Sequence, residues 1–298
     1  MYRRHRIASL ALALLASAEA AAQTPPCTDV FIATLSSVDG RPSVRSPSNA
    51  TKRDGYDNQP VFTLDGRAIL FTSERGGQTD IYRFDLTSST TEPVTRTAES
   101  EYSPTVVPGG GAISVIRVER DSAQRLWRFP IDGGTPSLVL EGIRPVGYHA
   151  WADGNTLVLF VLGSPNTLQV ADTRTGRADT ITTSVGRSLH RMRDGRVSFV
   201  HKVAEREWWI KALDVRTRAV TPLVRLQEGV EDYVWLPSGG VLAGKGSALH
   251  WWAGGGEWQQ VADFAAAGVG SITRLAVSPK GDRLAFVAVP TPEGAERE

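Results

Sequence analysis

A unit of about 40–45 residues recurs along this chain, and no other feature restricts its folding as strongly. One copy reads N-Q-P-V-F-T-L-D-G-R-A-I-L-F-T-S from Asn58 to Ser73, then runs through Asp80-Ile81-Tyr82-Arg83-Phe84-Asp85 to Glu92-Pro93-Val94-Thr95. Asp65, just before Gly66, serves as a ruler. Equivalent positions are Gly109, Asp153, Asp194, Ser238 and Lys280, with gaps of 44, 44, 41, 44 and 42 residues. A unit that long, holding four short strand patterns, cannot bury its own faces. Copies set around an axis bury them against each other, so the spacing predicts an all-β, six-bladed β-propeller of four-stranded antiparallel blades.

Within the first copy, Val61–Thr63 reads as a short inner strand and Leu64–Arg67 as a tight turn. Ala68–Thr72 reads as the second strand, Glu74–Gln78 as a loop, Asp80–Leu86 as the third strand and Glu92–Thr95 as the outer strand. The third strand and its turn return at Leu126–Phe129 before Asp132-Gly133, at Leu168–Ala171 before Asp172, and at Trp208–Ile210 before Asp214. In the Trp208-Trp209 and Trp251-Trp252 pairs, alternation sends one ring to each side of the sheet, so packing between blades is their expected role.

The sixth copy is incomplete. Leu275–Gly281 and Leu284–Val287 supply its inner half. Asp29–Ala33, the Val38-Asp39-Gly40 turn and Pro42–Val44 have the pattern of its outer half. The last blade is therefore expected to be closed by both termini, which leaves no unpaired sheet edge.

Arg3, Arg4 and Arg6 precede an apolar run from Ile7 to Ala18 that ends in small residues. This is the pattern of a cleavable signal peptide over residues 1–22, followed by one propeller domain over 23–298. The run is too short to span a bilayer, and a periplasmic or secreted protein is expected. Cleavage after Ala22 removes three arginines and Glu19 from 33 basic and 32 acidic residues, leaving 30 against 31. So balanced a chain lacks the dense basic face that nucleic acid requires. The single cysteine, Cys27, cannot form an internal disulfide and reads as an inert thiol.

The copies resemble the WD40-like repeat of TolB-type propellers, roughly P-x-W-S-P-D-G, an apolar strand and D-I-Y. Pro60–Gly66, Tyr233–Gly239 and Leu275–Gly281 carry the first part, and Thr79–Tyr82 the second. The resemblance covers the propeller only, without the α/β domain that precedes it in TolB. It implies a fold rather than a function, because such propellers serve as binding proteins, as lids of peptidases and, in a few cases, as lyases or lactonases. No G-x-S-x-G elbow occurs here.

Function is expected on loops at one end of the axis, where a rigid scaffold holds them. The candidate rim comprises Tyr56, Asp57, Glu101, Tyr102, His149, Arg187, His190, Asp232, Tyr233 and Arg274. His149 and His190 each lie four residues before a ruler position, hence at matching places on neighbouring inner strands. With Asp232 they form a candidate metal or acid–base set. Two readings follow. The first is a monomeric binding module, without cofactor, whose funnel engages a protein, peptide or cell-envelope component. The alternative is a small propeller enzyme, a metal-assisted lyase or hydrolase, using the two histidines.

Overall fold

The computed structural model describes residues 26–291, so the signal-peptide reading lies outside the described residues. Six four-stranded antiparallel sheets form a propeller ring. Blades 1 to 5 follow chain order. The innermost strands are Asp57–Phe62, Ser100–Val106, Val146–Trp151, Val185–Arg191 and Tyr233–Trp235. Blade 6 takes its inner strands, Val269–Val277 and Arg283–Pro290, from the C-terminal end. Its outer strands, Asp29–Val38 and Arg41–Asn49, come from the N-terminal end. Asp29 pairs with Ala288, Phe31 with Phe286 and Thr34 with Arg283, so the closure expected from the sequence is present. Among the described residues the only helical piece is a 3-10 turn at Ala265–Ala267, and no helix is long and apolar enough to cross a membrane.

The second strand of each blade is paired on both edges and sandwiched on both faces, so it is apolar without alternation. Ile69, Leu70 and Phe71 in blade 1 and Leu157, Val158 and Leu159 in blade 3 are all fully buried. The buried side chains sort into clusters that each lie between two neighbouring blades. One joins Leu70 and Ile81 to Ile113, Val115 and Phe129, and another joins Val30 and Val287 to Phe71 and Phe84. The Trp251-Trp252 pair behaves as strand alternation dictates: Trp251 packs on the blade 5–6 cluster and Trp252 on the blade 4–5 cluster.

The recurring aspartates are turn residues. Asp65, Asp153 and Asp194 each accept the backbone N–H two residues on, as do Asp85, Asp172 and Asp214 at the outer turns. Two local expectations need correction. The inner strand of blade 1 begins at Asp57, not Val61, because a bulge between Asn58 and Val61 lets the earlier residues pair with Thr72 and Ser73. The second and third strands meet through a two-residue turn, Gly76-Gly77, rather than a loop from Glu74 to Gln78. Both glycines have positive φ, 64° and 83°, which suits the twist of a tight hairpin.

Candidate functional site

The innermost strands do not run straight to the axis. Five of the six have a register shift near the position six residues before the ruler: Asn58/Val61, Tyr102/Thr105, Val146/Tyr148, Val185/Leu189 and Thr273/Ala276. Three residues at that matching position, Gln59, Ser103 and Arg274, have φ of 56°, 54° and 49°. A bulge re-aims side chains, and a left-handed non-glycine residue costs about 1–3 kcal/mol, so the ring holds strained residues at the axis.

These strands enclose an axial cavity of about 610 Å³. Among the sequence-derived candidates, His149, Arg187, His190, Asp232, Tyr233 and Arg274 line it. At one mouth Asp232 of blade 5 is gripped from both sides. Arg187 of blade 4 donates through Nη2 at 2.6 Å and Nε at 3.3 Å, and the Ser188 hydroxyl donates at 3.2 Å. Arg274 of blade 6 brings Nη1 to 3.6 Å. Burial alone would raise the Asp232 carboxyl, but Arg274, Arg187 and Ser188 outweigh it and hold the group below the usual carboxylate range.

Arg274 also reaches across the axis. Its Nη2 donates to Tyr148 Oη at 2.8 Å, and its guanidinium lies 4.9 Å from the Tyr148 ring centre. Tyr148 belongs to blade 3, opposite blade 6, so this contact forms a crossbar over the mouth. Tyr56 is half-buried beside it. Burial pushes its hydroxyl up to about 12, against the pull of Arg274 and Arg187, so the phenol stays protonated.

Other candidates stand back from the cavity. Asp57 is fully buried and pairs with Arg53 at 3.1 Å. Glu101 is equally buried, taking Arg117 Nε at 3.0 Å and the Thr97 hydroxyl at 2.6 Å, and burial pushes it up to about 7. The Tyr102 hydroxyl accepts from Thr79 at 2.7 Å. Tyr233 lies in the wall, where its hydroxyl donates to Ser198 at 2.8 Å and His190 meets its ring at 4.7 Å.

Neither histidine hydrogen-bonds Asp232 among the described residues, although the Asp232 charge reaches His190. His149 Nε2 sits 2.7 Å from Ser114 Oγ, which also accepts from Trp151 Nε1 at 2.9 Å. Among the described residues, no group of three or more His, Cys, Asp and Glu side chains is arranged to hold a metal ion. Burial pushes His149 down to about 3 and His190 to about 4, Asp232 partly opposing the latter, so both rings are neutral at pH 7. Tyr148, Ser103 and Ser188 are the residues the candidate set lacked. Each lies five or six positions before a ruler residue, which was the available signal.

A pH dependence of stability follows. A histidine whose folded pKa lies below its unfolded value of about 6.5 leaves stability intact above 6.5 and erodes it as pH falls. Glu101, raised above its unfolded value, acts oppositely between about 4.5 and 7. Unfolding near pH 5.5 is thus expected to take up protons at His149 and His190 and to release one from Glu101. His149→Gln is expected to gain about 2 kcal/mol relative to wild type between pH 7 and pH 5. Urea unfolding at both pH values checks this, and a constant difference would show that His149 is not held neutral.

No family model matches this chain. An uncharacterized protein of Agrobacterium fabrum is 30% identical over 91 residues, which is 28% of this chain and 31% of that protein. The chain thus spans well under two thirds of that relative. Among solved structures, the protein assigned as TolB in Agrobacterium tumefaciens superposes with a TM-score of 0.69 at 18% identity, over 88% of this chain and 98% of that one. TolB from Acinetobacter baumannii gives 0.58 at 14% identity, over 89% and 66%. An oligogalacturonate lyase in complex with manganese gives 0.56 at 12% identity, over 83% and 80%. At such identities the likeness concerns the fold, and the fold is that of TolB propellers among others.

Proposed function

We propose that this chain is an exported binding module, periplasmic or secreted, whose axial mouth engages a protein, peptide or cell-envelope ligand. The cluster of Arg187, Asp232, Arg274 and Tyr148 over a 610 Å³ cavity carries this reading. Four blades contribute to it, and Tyr148, Arg187 and Arg274 lie on bulged inner strands. Rigid, strained placement of polar groups around a concavity is how binding sites are built. The likeness to TolB propellers supports the envelope setting, and the signal-like residues 1–22 support export.

The test is photo-crosslinking in the native host, with the reactive residue at Tyr56 or Tyr148 and, as control, at Ile131, which is 55% exposed on the outer turn of blade 2. The expected result is a discrete adduct from the mouth positions and none from Ile131. Adducts confined to Ile131 would place the binding face elsewhere, and none at any position would remove the binding reading. Mass spectrometry of the exported protein is expected to find Gln23 as the first residue.

A further inference from the structure

We infer that the axial mouth takes a free carboxylate, carried by the C-terminus of a peptide that ends in an apolar residue. The inference rests on the binding reading above and names its ligand class.

The charge balance comes first. Of the charged residues lining the cavity, Arg187, Arg191 and Arg274 are cations and Asp232 is the anion. Arg191 lies farther down its strand, where its charge acts on Asp153. Lys202, beside the mouth, is neutralised by Glu231 at 3.1 Å. Two guanidiniums therefore share the single Asp232 carboxylate at the mouth, which leaves one positive charge. Arg274 is only 14% exposed, so water compensates it poorly.

The donors are also in place. Arg187 spends Nε and Nη2 on Asp232, and its Nη1 takes part in no hydrogen bond among the described residues. Tyr148 Oη accepts from Arg274, which leaves its phenolic hydrogen to give. A guanidinium edge with a neighbouring hydroxyl suits a planar, singly charged two-oxygen group. A phosphate dianion would meet one excess charge with two of its own.

One more feature extends the match beyond the anion. Beyond the polar ring the wall becomes apolar at Val61, Pro104, Leu189, Val234 and Leu275, which suits an apolar terminal side chain.

The experiment compares acetyl-Ala-Ala-Leu bearing a free carboxylate with its C-terminal amide, by NMR titration of the full exported chain. The acid is expected to bind at least tenfold more tightly than the amide. In Arg187→Gln and Arg274→Gln the ratio should fall below twofold through loss of the acid's affinity. Tyr148→Phe, which keeps the ring, is expected to weaken the acid three- to tenfold and spare the amide, and it serves if an arginine variant does not fold. Equal affinity of acid and amide would overturn the inference and leave the binding module standing. Binding of neither would overturn the inference too, the module then resting on the crosslinking result. Displacement of the acid by equimolar inorganic phosphate would also overturn it, because the site would be a general anion site.

Discussion

Phe286→Ala is expected to destabilise the protein by about 3–5 kcal/mol, among the largest losses a single side chain here can cause. Phe286 is fully buried in the second strand of blade 6. Its ring stacks between Phe31 at 5.6 Å and Phe264 at 5.8 Å, each tilted by 6°. Phe31 is its register partner on the N-terminal strand, and Phe264 follows the outer strand of blade 5. The truncation therefore opens a cavity where the two chain ends and the neighbouring blade meet, and the surrounding sheets can relax only partly. Phe286→Leu, which keeps much of the volume, should cost less than about 1.5 kcal/mol. Urea unfolding followed by tryptophan fluorescence gives the magnitude. Amide exchange gives the location: protection should fall first over Asp29–Val38, because the stack fastens that strand to its blade. A loss under about 1 kcal/mol, or exchange unchanged in that strand, would mean that the ring is closed by something other than this stack.

The closure was legible because it is a matter of counting: an incomplete copy at one end and a matching half-copy at the other. The ruler turns were equally legible, since Asp65, Asp153 and Asp194 serve the same local turn and local chemistry repeats with the period. The site was legible only in part. Periodicity places Arg187, Asp232 and Arg274 on loops at one end of the axis, whereas Arg187 and Arg274 lie within inner strands and Asp232 just before one; the Arg274–Tyr148 crossbar joins residues 126 apart on opposite blades, and no local pattern encodes it. The paired histidines show the opposite failure. Their matching sequence positions are real, yet the neighbouring blade supplies Ser114 to one and Tyr233 lies against the other, so like positions acquire unlike partners. Bulges escape as well. Gln59 and Ser103 adopt left-handed backbone without the glycine or asparagine that would announce it, because tertiary pairing imposes the conformation.

Asp232→Ala should cost about 3 kcal/mol and make the protein responsive to added anions. Removing one partner of a buried ion pair usually costs about 3–5 kcal/mol, because the other charge stays buried and uncompensated. The lower end applies because Arg187 is 34% exposed and can take up water, whereas Arg274, at 14%, cannot do so readily. Asp232→Asn should cost less, since the amide oxygen still accepts from Ser188 or one guanidinium. The sign with pH is fixed: a carboxyl held below its ordinary value contributes stability that is complete above about pH 4 and is lost as pH falls through its folded value. The alanine variant should therefore converge on wild type in strong acid. Anions separate a structural knot from a charged mouth open to ligands. With the carboxylate gone, acetate at tens of millimolar should raise the midpoint of Asp232→Ala and barely move that of Arg274→Gln in the same background, since only a ligand that binds the native state stabilises it. If acetate leaves Asp232→Ala unchanged, the two guanidiniums do not face a site that solution anions can reach, and the axial mouth loses its claim as a place where ligands bind.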